Sequence, residues 1–294
     1  MLLIHQPVLV DGVIKVLKPE KNDSYLDLTA GYGGHANIIL ARTKNYRESV
    51  LVDRDKTSTD YLHNIFADKP LMIINQDYYQ ASTDLMKQNK KFDIILVDLG
   101  VSSQHLNDQS RGFSFKDNGP LDMRMDQSQK LSAMVVVNDY PEKELARIIS
   151  EYGDEPKARY IAKLIVNNRP ILNTQELAKL CLKAWPGRSK IHPATRTFQA
   201  IRIEVNQELT LLQKSLPIWF NLLKPDGRLA VISFHSLEDR ITKQFFKDNS
   251  GERYDSELTL LTKKPIVPDQ NEIVINPRSR SAKLRAVVKN KKTK

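Results

Sequence analysis

With 294 residues, 40% of them hydrophobic and 27% charged, the chain suits one large domain or two ordinary ones, and its composition excludes global disorder. No apolar run approaches the ~18–20 residues of a membrane helix, the start Met1-Leu-Leu-Ile-His5 lacks the features of a signal peptide, and a single cysteine, Cys181, excludes a disulfide framework and a cysteine-rich zinc site. A net charge of +10 points to a polyanionic partner, foremost nucleic acid, with a generally basic proteome as the alternative, and the expected setting is a reducing compartment, the cytoplasm.

The first hundred residues alternate apolar strands with helices. Ser24–Thr29 predicts a short strand that runs into glycines, Asn37–Thr43 a helix, and Ser49–Asp53 a second strand. A polar helix over Thr57–Ala67, a third strand over Leu71–Asn75 and a fourth over Phe92–Asp98 follow. The strands are continuously apolar, as strands covered on both faces are. Their alternation with helices implies right-handed crossovers and a doubly wound parallel sheet. From about Ser102 to Phe198 the pattern changes. A polar loop to Asp126 precedes helices at Glu142–Tyr152, Pro156–Asn167 and Thr174–Lys183, the last with Asn173 and Thr174 as capping residues. One long helix is predicted over Glu204–Leu223, bent at Pro217. A turn at Leu223–Gly227, a buried strand at Arg228–Phe234 and strands at Leu258–Thr262 and Leu284–Lys289 complete the chain. The expected architecture is one α/β domain, 1–108 and 201–294, interrupted by a mainly helical insertion over 109–200.

The first strand ends in Asp27-Leu-Thr-Ala-Gly31-Tyr-Gly33-Gly34-His35-Ala36. Glycines at a strand-to-helix turn let the backbone approach a ligand and offer N–H groups at a helix start. Gly31-x-Gly33-x-x-Ala36 fits the dinucleotide fingerprint, and Asp53, 22 residues after Gly31, is placed to accept from both ribose hydroxyls of an adenosine. The pattern fits NAD and S-adenosylmethionine (SAM) alike, and a tight turn without a ligand is the third reading. Polar groups end all four strands: Asp27, Asp53, Asp77 with Tyr78, and Asp98. That set suits a methyltransferase better than a dehydrogenase, with the loop and Asp27 for the carboxylate and amine of SAM and Tyr78 for its adenine.

Eight motifs follow one another: His5-Gln-Pro-Val, Gly33-Gly34-His35, Asp98-Leu-Gly-Val-Ser-Ser103, Arg111-Gly-Phe-Ser-Phe115, Gly119-Pro-Leu-Asp-Met-Arg-Met-Asp126, His192-Pro-Ala-Thr-Arg-Thr-Phe-Gln-Ala200, Ile232-Ser-Phe-His-Ser-Leu-Glu-Asp-Arg240 and Asn276-Pro-Arg-Ser-Arg-Ser281. Together they closely resemble the RsmH (MraW) family of bacterial 16S ribosomal RNA cytosine-N4 methyltransferases, from His5 to about Val288. The resemblance implies a class I SAM-dependent methyltransferase sheet with an inserted helical RNA-recognition domain. It implies methyl transfer to the exocyclic N4 of one cytidine in the decoding region of 16S rRNA, within the small subunit. The six histidines show no metal-ligand spacing, and no metal is expected. Gly31, Gly33, Gly34, His35, Asp53, Tyr78 and Asp98 are then the SAM contacts, with Asp27. The family's Ser-Ser-Pro-Gln-Leu-Asp reads Ser102-Ser103-Gln104-His105-Leu106-Asn107 in this chain. Either His105 substitutes for the glutamine contact or Gln104 reaches in.

For the chemistry, Asp98 and the carbonyls of Leu99 and Gly100 are the candidate acceptors of N4–H bonds. His235 and Asp239, with Glu238, are candidates for positioning the base or relaying its proton; helix capping near Ser236 is the alternative role. Arg111, Arg124, Arg196, Arg240, Arg278 and Arg280 lie in the motifs and are the candidate RNA contacts. Phe113, Phe115 and Phe198 are read as buried aromatics or as stacking surfaces. Net charge is −2 over residues 1–108, +5 over 109–200, −1 over 201–277 and +8 over 278–294, so the basicity lies in the insertion and the tail. An NAD-dependent oxidoreductase and a non-catalytic RNA-binding protein are the competing functions.

Overall fold

The computed structural model describes residues 7–187, 191–251 and 256–291; His5, Lys292 and Lys294 lie outside the described residues. The chain divides into two compact units, residues 1–100 with 209–294, and residues 101–208. The strands are β1 (Tyr25–Asp27), β2 (Val50–Asp53), β3 (Met72–Asn75), β4 (Phe92–Asp98), β5 (Leu223–Ser233), β6 (Leu258–Leu260) and β7 (Lys283–Lys289). The helices are α1 (Val10–Leu17), α2 (Gly34–Thr43), α3 (Lys56–Ile65), α4 (Tyr78–Lys87), α5 (Ser103–Asn107), α6 (Ala133–Asp139), α7 (Glu142–Gly153), α8 (Ala158–Asn167), α9 (Thr174–Ala184), α10 (Ala194–Asn206), α11 (Glu208–Leu222), α12 (Ser236–Asp248) and α13 (Gln270–Ile275).

In the first unit the seven strands form one sheet in the order β3-β2-β1-β4-β5-β7-β6. β1 to β5 run parallel, and β7 pairs antiparallel with both β5 and β6. Successive strand residues face opposite sides of the sheet. Tyr25, Leu51, Ile94 and Leu96 therefore enter one core with Val13, Ile39 and Leu62, while Leu26, Val50, Ile95 and Val97 enter the other with Leu85, Trp219 and Phe246. Burial on both faces is why β1, β2 and β4 read as unbroken apolar runs; the edge strand β3 is only half-buried. The strand order reverses between β1 and β4, the switch point at which open α/β sheets bind ligands beyond their carboxyl ends.

The second unit is helical, with a core built from Leu145, Ile148, Ile161, Leu177, Phe198 and Ile201. Asn173 caps α9 by accepting from the Glu176 N–H. Its irregular segment over residues 108–130 is close-packed: a Cβ on Gly112, at φ +65°, would stand 1.9 Å from the Pro120 carbonyl oxygen. Asn206 clamps it, accepting from Met125 N–H and donating to the Met123 carbonyl.

Two expectations are corrected. The single helix over Glu204–Leu223 is two, α10 and α11, separated by Gln207 in the left-handed region at φ 51°. The turn at Leu223–Gly227 lies inside β5 as an irregularity: Phe92 pairs with Leu223 and Ile94 with Arg228, so the residues between bulge out, with Asp226 at φ 62°. Helices α1, α4, α5, α6 and α13 are absent from the expected elements.

Candidate active site

Asp27 and Asp98 end adjacent parallel strands at the switch point. The chain leaves β1 through Gly31 and Gly33, both at positive φ, and Gly33 is the N-cap of α2. Glycine brings no capping side chain, so the first turn of α2 has no side-chain cap. Gly34 is small for a second reason: a Cβ there would lie 3.2 Å from Pro7. Asp53, at the end of β2, accepts from the Gly31 N–H at 2.7 Å and so fixes the loop against the neighbouring strand. Tyr78 opens α4, whose N-cap Asp77 accepts from the Tyr79 and Gln80 N–H groups, and its half-buried ring meets Trp219 edge-on at 5.5 Å.

Asp27 is 2% exposed, accepts from the Tyr25 hydroxyl at 2.6 Å and from the Thr29 N–H at 3.2 Å. Burial pushes its carboxyl up to about 7, against the two hydrogen bonds and with a contribution from Asp53. Asp27, expected to contact the amine of the cofactor, is enclosed beneath the loop. Asp98 keeps 21% side-chain exposure, yet its Oδ1 is buried with no hydrogen-bond partner among the described residues. Its Oδ2 lies 3.7 Å from His35 Nε2. Burial first, then the charges of Asp27 and Glu238, raise the Asp98 carboxyl well above the ordinary carboxylate range. Thr29 Oγ1 accepts from the Asp98 N–H at 2.6 Å, tying the two strand ends together. Thr29 and Tyr25 were missed by the sequence reading; the signal was their spacing of two from Asp27 along β1.

After β5, His235 is the N-cap of α12 and forms a capping box with Glu238. The Glu238 Oε2 accepts from Phe234 N–H at 2.8 Å, and His235 Nε2 lies 3.2 Å from Glu238 Oε1. His235 Nδ1 accepts from the Glu238 N–H, and its Nε2 has no hydrogen-bond partner among the described residues. Asp239 is held in ion pairs: burial would raise its carboxyl, but Arg285 at 2.6 Å and Lys283 at 3.3 Å outweigh that and hold it below the ordinary range.

In the second unit His105 is 6% exposed and is used as a cap: its Nδ1 accepts from Ser102 N–H while Ser102 Oγ accepts from His105 N–H. His105, one of the two candidates for the glutamine contact, is thus engaged in this cap. Gln104 Oε1 is the buried acceptor without a hydrogen-bond partner among the described residues. Arg111 and Arg124, expected as RNA contacts, both donate to groups within the unit. Arg111 is 6% exposed and donates to the Arg124 and Met125 carbonyls. Arg124 forks onto Asp122 and donates to the Gln127 and Gln129 carbonyls. An irregular backbone needs such donors, since its carbonyls have no ladder partners. Arg196 is half-buried, and Arg240, Arg278 and Arg280 are exposed.

The site fits an adenosyl amino acid. It offers an uncapped helix start for a carboxylate, a strand-end acid for a ribose, an aromatic ring for a base and, at Asp98, a buried acceptor awaiting a donor. Among the described residues no helix is long and apolar enough to cross a membrane.

A family model, the MraW methylase family, matches residues 2–290. The chain is similar to proteins named Ribosomal RNA small subunit methyltransferase H. That of Trichodesmium erythraeum (strain IMS101) is 44% identical over 97% of this chain and 99% of its own length. That of Cyanothece sp. (strain PCC 7425 / ATCC 29141) is 47% identical over 96% and 93%. Among solved structures, a putative methyltransferase from Streptococcus mutans in complex with SAH covers 95% of this chain and 94% of its own, at 11% identity and a TM-score of 0.46.

Proposed function

Because the chain belongs to the MraW methylase family, we propose that it is a SAM-dependent methyltransferase that modifies the exocyclic N4 of one cytidine in the decoding region of 16S rRNA. When bound, SAM supplies an electrophilic methyl group on a sulfonium. The loop Gly31–His35 holds its amino acid end, Asp53 its ribose and Tyr78 its adenine. The target cytosine leaves its stack to reach the sheet edge.

The N4 amine of cytosine is a poor nucleophile because its lone pair is delocalised into the ring. A carboxylate that accepts an N4–H bond draws the nitrogen toward tetrahedral geometry and aims the lone pair. Asp98 is the acceptor. The observation that carries this reading is its Oδ1, buried and without a hydrogen-bond partner among the described residues, at the carboxyl end of β4. Such an atom costs stability in the free protein and is satisfied when a donor arrives. In its ionised form the Asp98 carboxylate takes the proton that N4 loses once the new C–N bond has formed. His35 Nε2 stands 3.7 Å from the other oxygen, beyond hydrogen-bond distance.

The family membership does not favour the NAD reading of Gly31–Ala36 or a non-catalytic RNA-binding role. A ribosomal substrate, a cytoplasmic setting and RNA recognition by the insertion belong to the same proposal. Small subunits from cells lacking the modification, incubated with the protein and methyl-labelled SAM, test it. Label in 16S rRNA is the expected result, and unlabelled rRNA would overturn the reading.

A further inference from the structure

Within the second unit an aromatic series runs from core to surface. Phe198, 4% exposed on α10, meets Phe115 edge-on at 5.1 Å and 74°. Phe115, half-buried, lies against His192 in a stacked pair, 4.5 Å between ring centres and 21° between planes. His192 itself is exposed. Phe115 covers one face of the imidazole, and the other face is the one that meets solvent. A ring stacked on a second, core-anchored ring is held flat without the entropy cost of ordering a free side chain. Four residues on, Arg196 makes no ion pair among the described residues. This segment belongs to the part of the chain with a net charge of +5.

We propose that His192, backed by Phe115, is a stacking platform for an unstacked nucleobase of the RNA substrate, with Arg196 as its neighbouring cation. The inference rests on the rRNA methyltransferase reading and names a recognition contact that Asp98 chemistry does not require. Any base has a π-face, so such a platform adds affinity with little sequence preference, as in single-strand binding. RNA recognition favours such contacts because its readable bases are the unpaired ones.

His192 has one structural duty: its Nδ1 accepts from the Ala194 N–H at 3.2 Å at the start of α10. The test separates the two roles. Asparagine carries an acceptor in place of Nδ1 but no ring, whereas phenylalanine carries the ring but no acceptor. Affinity for a decoding-region RNA oligonucleotide is measured for the full chain and for His192→Asn, His192→Phe and Phe115→Ala. A single 2-aminopurine is scanned along the RNA to report stacking by fluorescence quenching. His192→Asn is expected to weaken RNA binding roughly tenfold, the scale of one lost base stack, with SAM affinity and Tm retained. His192→Phe is expected to bind nearly as well as wild type and to keep the quenching. Rescue by asparagine rather than phenylalanine, or quenching at no position, would overturn the platform. Methyl transfer to rRNA is followed in the same samples. Ring-dependent quenching without label would reject the methyltransferase reading and leave the platform standing. Label with unchanged affinity in His192→Asn would do the reverse.

Discussion

Asp27 is buried and Asp98 half-buried where β1 and β4 end; burial raises the proton affinity of both, and the charge of Asp27 raises that of Asp98 further. That cost is explained if Asp98 must be a poised acceptor rather than a stabilising residue. Asp98→Asn keeps the shape but weakens the acceptor and cannot take a proton. Its kcat should fall by roughly 10²–10³-fold or more, while thermal melting shows the free protein at least as stable as wild type. For Asp27 the folded-state pKa, about 7, lies above the unfolded value of 3.8, so between these pH values the folded state holds a proton that the unfolded state has lost. Stability is then greatest near the lower value, falls as pH rises through the window and is flat above it, a loss of at most about 4 kcal/mol. Denaturant titrations in this window should show that slope for wild type and a shallower one for Asp27→Asn; parallel curves would remove Asp27 as its source. At this scale the sequence marks Asp98 and Asp53, because a strand-end acid beside a glycine loop is a local pattern. It does not mark Arg111 or Arg124 as structural. Their partners are carbonyls of an irregular segment whose path no periodicity reveals. The cap role of His105 was legible in the spacing Ser102-x-x-His105, but histidine is an uncommon partner in that box.

The elements that build the site depend on a few backbone positions. Gly33 sits at φ +79°, and a Cβ there would press on Ile65 and Leu62 at 3.1 Å. Gly33→Ala should destabilise by about 1–2 kcal/mol and lower SAM affinity in calorimetry, because the start of α2 must shift. An unchanged affinity would detach the loop from the cofactor. β1, β2 and β4 are readable because buried parallel strands are short unbroken apolar runs bounded by turn residues; the half-buried edge strand β3 keeps the same apolar run. Helix α4 was not, because the polar residues Gln80, Ser82 and Thr83 interrupt its apolar stripe. The division of α10 from α11 was hidden as well. Apolar spacing continues through Val205 and Leu209, and only the left-handed backbone of Gln207, a residue with no glycine-like signal, separates the two helices.

Over the whole molecule, the excess charge has two destinations. The C-terminal stretch 278–294 carries +8, but much of it is used internally. Lys283 and Arg285 neutralise Asp239, and Lys289 donates to the Phe220 and Leu223 carbonyls while lying over the Phe220 ring at 4.3 Å. Arg278 and Arg280 remain exposed. Truncation after Asn290 should therefore lower RNA affinity and flatten its dependence on salt while leaving Tm nearly unchanged. Truncation after Val288 should also lower Tm, because Lys289 is lost. Equal Tm for the two would contradict the internal role of Lys289. The sequence located the charge but not its use, since pairing across β7 and α12 is a tertiary contact.

The most direct measurement is nucleoside mass spectrometry of 16S rRNA after one incubation with SAM, wild type beside Asp98→Asn. The account predicts one N4-methylcytidine for wild type and nearly none for the variant, at similar SAM affinity. Methylation of another atom, or near-normal N4-methylcytidine from Asp98→Asn, would contradict it.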